Sequence, residues 1–316
     1  ITLIDPSTAI VVSPDGKTLQ AAIDEATPEK NLILVQGGTY DITDDLTISN
    51  DVQIIGERST DRPILKGGHI EIAVGGLYMR NVILDGDGDS SHAFDFTTEG
   101  TTYKSLEVES CDIKNYAKGF FYLNVASLVE NLSFKNCIIS NIECSGSDFM
   151  DSRKGAFNSL VLSNSTIYQS SANKRDLVRY DDASSSFPDV KSTITVTNNT
   201  IIGVDGSGFK RVMYVRFVGN KITFKNNLVV NFTGYFSDQS KTDAEPAFAN
   251  NNYFNAKTAG ILQVKVGDAN VVVAQDPNCI AEKFLDPKFK DAAKGDFTIT
   301  NEDVKINKVG DPRWLE

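Results

Sequence analysis

The sequence predicts an all-β chain: a right-handed single-stranded parallel β-helix, a solenoid with an N-terminal capping helix and a C-terminal cap. Two observations carry this. A strand-and-bend template recurs about every 28 residues, and a second family of short apolar strands keeps step with it.

The template reads apolar, any, apolar, any, Asn, any, any, apolar. Its copies are Leu77–Leu84, Leu106–Ile113, Leu132–Ile139, Leu160–Ile167, Ile194–Ile201 and Ile222–Val229. The steps between starts are 29, 26, 28, 34 and 28 residues. The fifth position holds Asn81, Ser110, Asn136, Asn164, Asn198 and Asn226. Alternation with period 2 indicates short strands with one buried face. A tight bend must follow each strand, and Asn tolerates the left-handed backbone such a bend needs. With coils stacked ~4.8 Å apart, these Asn side chains are expected inside, bonding one another up the stack. A β-sandwich is the alternative, but sandwiches turn every ~8–12 residues and do not sustain this period.

The second strand family comprises Phe94-Asp-Phe96, Phe120–Leu123, Phe149-Met150, Leu177–Tyr180 and Met213–Phe217. The open ends of a solenoid need covers. At the N-terminal mouth, residues 18–26 read as an amphipathic helix, with Leu19, Ala22, Ile23 and Ala26 on one face. Coils then run over 32–250, and 251–316, where the template fades, forms the C-terminal cap. The whole of 1–316 is read as a single domain.

Composition narrows the function classes. With 31 Lys+Arg against 42 Asp+Glu the formal net charge is −11, which argues against nucleic acid and against adhesion to anionic lipid. No apolar run reaches the ~18 residues of a transmembrane segment. Only two histidines occur, His69 and His92, so chemistry built on histidine clusters or a Ser-His-Asp triad is not expected. The start, Ile1-Thr2-Leu3-Ile4-Asp5-Pro6, is neither a signal peptide nor a Met start and suggests a mature or trimmed product.

The opening (Thr18-Leu-Gln-Ala-Ala-Ile-Asp24, Gly38-Thr-Tyr40, Val52-Gln-Ile-Ile-Gly56) resembles the start of pectate-lyase-like right-handed β-helix proteins. With the Asn positions, the similarity covers most of 18–250. The whole chain looks like β-helix domain pairs of secreted Bacteroides-type proteins, often encoded beside glycan-uptake systems. Its closing Asp286-Pro287 and Gly310-Asp-Pro-Arg-Trp314 are similar to the ends of those proteins. The resemblance implies a secreted, periplasmic or cell-surface location and a polysaccharide partner. It is specific for fold and weak for activity, since the fold hosts lyases, hydrolases, esterases, adhesins and inert stalks.

Eliminative lyases need a base and a group that neutralises the substrate carboxylate, either Ca2+ or Arg. Residues 150–221 hold ten basic groups and six acids, Asp205 among them, a net +4, while the remainder carries −15. A shift of 28 sets Asp148-Phe-Met-Asp-Ser-Arg-Lys154 on Asp176-Leu-Val-Arg-Tyr-Asp-Asp182, with Asp151 on Arg179 and Arg153 on Asp181. One reading is a surface ion ladder, whose exposed pairs contribute only ~0–1 kcal/mol each. The other is an acidic-glycan groove. Its catalytic candidates are Arg179, Lys154, Arg153, Asp151 and Asp181, with Arg179 or Lys154 as base or clamp. Its substrate-binding candidates are Arg216, Tyr180, Asp148 and Arg175, with Tyr180 and Tyr214 as sugar platforms. No Glu occurs in 150–221, which lowers a calcium-dependent lyase of the Glu-paired kind. A glycosidase would need carboxylates such as Asp148, Asp151, Asp181 and Asp182 on neighbouring coils, and ranks lower because the accompanying Gly-His-Gly is missing.

Asp85, Asp87 and Asp89 space oxygen ligands in a way that could hold Ca2+, although the downstream Glu of an EF-hand is missing; the sequence makes no cofactor certain. Cys111 and Cys137 share a template position one coil apart, within disulfide range, and free stacked thiols are the preferred reading. The sequence therefore predicts a secreted or surface, monomeric, polysaccharide-engaging β-helix, with lyase-like chemistry on an acidic glycan as one option. The alternatives are a non-catalytic glycan-binding or structural module and a passive stalk or adhesin.

Overall fold

The computed structural model describes residues 8–204 and 208–316; the N-terminal stretch Ile1–Pro6 and Asp205 lie outside the described residues. The chain forms a parallel β-solenoid of about nine turns. Three parallel sheets of ten, seven and nine strands make its walls. In each coil the chain visits the first sheet (for example Leu128–Lys135), then the third (Ile138–Ile142), then the second (Met150–Ser152). The recurring template supplies the strands of the first and third sheets, and the second strand family supplies the second sheet. The register follows the shift of 28: Met150 pairs with Val178, Asp151 with Arg179, Ser152 with Tyr180.

The bend between first and third sheets needs a left-handed residue, and the fifth template position provides it. Asn81, Ser110, Asn136, Asn164, Asn198 and Asn226 all have φ between 50° and 57°. The buried ladder, however, lies one residue later. Asn199 Nδ2 donates to Asn227 Oδ1 (3.0 Å), and Asn227 Nδ2 donates to Asn251 Oδ1 (3.1 Å). Ser165, Cys137 and Cys111 continue that column, all buried. The reason is geometric. The left-handed residue turns its own side chain outward and leaves the next residue aimed at the core. Cys111 and Cys137 are free thiols in this column, and Cys144 and Cys279 are free as well.

Inside the second sheet, aromatic rings line up along the solenoid, edge-on or stacked. Phe94, Phe120 and Phe149 form one column, with centroids 5.5–5.6 Å apart. Phe157, Tyr180 and Phe217 form another, 4.1 and 4.5 Å apart. Helix Leu19–Glu25 packs Leu19, Ala22 and Ile23 on the N-terminal mouth, with Thr18 as its N-cap. Beyond the last coil strand, Asn252–Phe254, two antiparallel hairpins follow (261–275 and 289–299).

Residues 307–314 then run back along the solenoid beside the Asn bends. Asn250 Nδ2 donates to Asn307 O, and Gly310 N donates to Asn226 O. Asp311 N donates to Thr200 Oγ1, its carboxylate accepts from Thr166 Oγ1, and Arg313 Nη2 donates to Asn136 O. The segment thus fastens five successive coils from outside.

Candidate functional site

Alternation in the second sheet sends the middle residue of each strand outward. Going up the coils this row reads Thr47, Glu71, Asp95, Tyr122, Asp151, Arg179 and Tyr214. A row of charged and phenolic groups on a parallel sheet is the main polar face of this wall, and the groups beside it fill in its two halves differently.

The C-terminal half is an arginine lattice over sunken carboxylates. Asp151, fully buried, accepts from Arg153 Nε and Nη2 (2.8–3.1 Å) and from Asp148 N (3.1 Å). Asp148, 2% exposed, accepts from Arg175 Nη2 and Arg179 Nη1 (both 3.2 Å) and from Asp176 N (2.8 Å). Arg179 also holds Asp181 through Nε and Nη2. Arg211 grips Asp176 with two nitrogens and Asp238 with a third. The guanidiniums of Arg179, Arg211 and Arg216 lie 4.3–6.0 Å from the Tyr214 ring centre, and Arg153 lies 5.5 Å from that of Tyr122. The layering is consistent: Asp148 and Asp151 are at most 2% exposed, whereas the side chains of Arg153, Arg175, Arg179 and Arg216 are 23–46% exposed.

Burial alone would lower the Arg179 pKa, but its bonds to Asp181 and Asp148 and the nearby Asp151 charge raise it well above the ordinary value. Desolvation pushes the Asp176 carboxyl up to about 6, against the opposing pull of its Arg211 partner.

Both histidines sit on the same face. His92 is buried, stacks on Tyr122 at 4.4 Å, and brings Nε2 to 2.7 Å from Ser147 Oγ. Its Nδ1 lies 3.1 Å from Asp95 Oδ1, and Ser147 Oγ donates to Asp151 Oδ2 (2.9 Å). The order Asp95, His92, Ser147 is that of a nucleophile triad. Ser147 is only 3% exposed and its Oγ donates to Asp151, so the array is a buried hydrogen-bond chain beneath the face. His69 lies one coil earlier, its ring nitrogens within 3.9 Å of Asp45, Glu71, Asp89 and Asp95. Three buried side-chain atoms among the described residues have no hydrogen-bond partner: His69 Nδ1, Asp95 Oδ1 and Asp181 Oδ1. All three belong to this face.

The structure brings Asp148, Asp151, Arg153, Arg175, Arg179, Asp181 and Arg216 together, and Lys154 stands exposed in the turn beside Arg153. Tyr180 does not join them. It is one residue past the outward row, so it faces the core between Phe157 and Phe217 and bonds Ser192. Asp182 is exposed and accepts from Ser184. Asp85 and Asp87 face Lys114 and Lys66 respectively, at 3.2 Å each, while Asp89 turns toward His69. The sequence reading missed His69, His92, Asp95, Tyr122 and Ser147. The signal available was the triplet Ile70-Glu-Ile72, Phe94-Asp-Phe96, Phe121-Tyr-Leu123, which extends the acid-bearing row toward the N-terminus.

The fold and this face define the chain as a parallel β-solenoid with one wall rich in charged groups. Residues 38–170 match the family model described as Domain of unknown function (DUF4957), and residues 194–314 match that described as Domain of unknown function (DUF5123). No curated protein matches the chain. The arginine lattice bridges the two matched segments: Asp148, Asp151 and Arg153 lie in the first, Arg211, Tyr214 and Arg216 in the second, and Arg175, Asp176, Arg179 and Asp181 between them. The first-sheet ladder also runs unbroken across the junction, Leu160 pairing with Ile194.

Proposed function

We propose that this is a secreted or surface protein that binds an acidic polysaccharide along the outward face of the second sheet, with Arg153, Arg179 and Arg216 as the contacts to anionic groups. The supporting observation is the layering. Carboxylates are sunk below the surface and guanidinium edges are left outside, stepped from coil to coil at ~4.8 Å. A guanidinium has five N–H donors, so one that bonds an aspartate below retains donors for a carboxylate or sulfate above. Tyr122 and Tyr214 offer ring surface between the cations. The fold is compatible with such a partner, and the formal charge of the face is set locally rather than by the chain total of −11.

Held protonated by its three aspartates, Arg179 fits the role of clamp and not of base. Within the arginine half, Lys154 is the exposed amine placed to take a proton from a bound uronate.

Binding to polyuronates and sulfated glycans, with neutral glycans as controls, tests the reading. Arg216→Ala and Arg153→Ala are each expected to weaken an acidic ligand about five-fold, ~1 kcal/mol per exposed ionic contact, with an affinity that falls as salt rises. Unchanged affinity in both, and in Arg179→Ala, leaves only an ion ladder. Ultraviolet absorbance from unsaturated products, lost in Lys154→Ala, would add eliminative cleavage to binding.

A further inference from the structure

The N-terminal half of the same face carries the opposite chemistry. Where each of the sunken carboxylates Asp148, Asp151 and Asp176 has a guanidinium, the group around His69 has none. Among the described residues no Lys or Arg forms an ion pair with Asp45, Glu71, Asp89 or Asp95; the basic side chains beside them are the two histidines. One imidazole, even protonated, leaves most of that negative charge unbalanced.

We propose that Asp45, His69 and Glu71 form a binding site for a divalent transition-metal ion such as Zn2+ or Mn2+. One ligand atom from each of the three lies within 4.8 Å of the others. Ligands held ~2.0–2.2 Å from Zn2+ stand ~3–4 Å from one another, so a side-chain adjustment of about 1 Å brings the three to the separation an ion requires. The stacking of coils produces this convergence: Glu71 and His69 belong to one strand start, and Asp45 is the residue directly below His69, accepting from its backbone N at 3.2 Å.

The second, independent observation is the imidazole itself. The His69 side chain is 8% exposed, and its Nδ1 has no hydrogen-bond partner although Asp45 Oδ1 stands 2.8 Å away. A buried imidazole nitrogen left without a hydrogen bond is costly unless something other than a hydrogen bond satisfies it, and a metal ion does so. Asp95 approaches His69 Nε2 at 3.5 Å and has its own partnerless buried oxygen, which suits an outer ligand. Asp45 and Glu71 are 42% and 37% exposed, so an ion can reach the three groups from solvent.

The donor set selects the metal class. Ca2+ takes six to eight oxygens, whereas one imidazole and two carboxylates match the ligands of Zn2+ and other first-row ions and leave a position open toward the face. This site stands independently of the glycan reading, because it uses none of the arginines.

The test uses tag-free, chelator-stripped protein, with Zn2+, Mn2+ and Ca2+ offered separately in equilibrium dialysis. Expected is about one equivalent of Zn2+ or Mn2+, with Ca2+ much weaker, and an affinity at least ~10-fold lower in His69→Gln and in Glu71→Gln. Glu71 is partly exposed, so its variant remains informative even if His69→Gln folds poorly. Cu2+ loaded as a probe should show nitrogen hyperfine coupling by electron paramagnetic resonance, lost in His69→Gln. Failure to bind any transition ion, tighter binding of Ca2+, or equal affinity in both variants would overturn the proposal.

Discussion

The inward column of the bends gives a prediction whose size follows from the bonds lost. Asn227 is fully buried. Its Oδ1 accepts from the backbone and side-chain nitrogens of Asn199 at 3.1 and 3.0 Å, and its Nδ2 donates to Val196 O and Asn251 Oδ1 at 2.9 and 3.1 Å. In Asn227→Ala the Asn199 N–H and the Val196 carbonyl lose these partners in a dry interior. At ~1–3 kcal/mol for each stranded group, the cost is about 3–5 kcal/mol. Unfolding entropy of ~2.1 cal/mol/K per residue gives about 0.66 kcal/mol/K for this chain, so the melting temperature should fall by about 5–8 °C. Its neighbour Asn226 is the control. That side chain points outward and its φ is 55°, so Asn226→Ala loses left-handed tolerance and one part-buried bond from Asn250, about 1–2 kcal/mol or 2–3 °C. Asn226→Gly keeps the backbone and should recover most of that loss. Calorimetry of the three variants decides the matter. A fall below ~1 °C in Asn227→Ala, or equal losses at 226 and 227, would refute the assignment of the two positions.

The Asp176 carboxyl, raised from 3.8 to about 6, contributes stability that is full below the lower value and lost as pH rises through the upper. The melting temperature of the wild type minus that of Asp176→Asn should therefore shrink from about pH 4 to pH 7; a constant difference contradicts it. All four thiols are buried and burial pushes each upward, Cys137 to about 12, so an aromatic disulfide reagent should label none in the native protein and all four in denaturant. Rapid native labelling would show the walls to be open. Asp311→Ala removes the acceptor of Thr166 Oγ1 and Arg313 N, and should cost about 1–3 kcal/mol, ~2–4 °C by the same conversion; an unchanged melting point would mean that the returning segment adds nothing.

The repeat was legible because two periodic constraints coincide in the letters: strand alternation and a bend residue able to take positive φ. The same periodicity sets the register of Asp151 on Arg179. Two things escaped it for physical reasons. A left-handed residue reverses which side chain faces inward, so Asn198, Asn226 and their equivalents marked the bend while the buried ladder fell to Asn199 and Asn227. Likewise, Tyr180 and Arg179 are adjacent letters on opposite sides of a strand, and only pairing decides which one reaches solvent. The histidines were undervalued because two in 316 residues look too few for chemistry. Position 69 lies one residue before its strand and position 92 two before the next, a juxtaposition that stacking creates and linear spacing hides. The charge count of 150–221 does not show the internal pairing of that wall, since five arginines there are matched by aspartates lying beneath or beside them.

The segment that returns along the Asn bends also bears on the order of events in folding. Coil-to-coil contacts join residues about 28 apart, and a solenoid built from them can grow by adding neighbours. The contacts of Asp311 with Thr166 and of Arg313 with Asn136 span 145 and 177 positions. Closing loops of that length is entropically slow, and it requires that coils 136–250 already present a finished edge. By this argument the returning segment closes last, as a latch over an edge that coil stacking has already built.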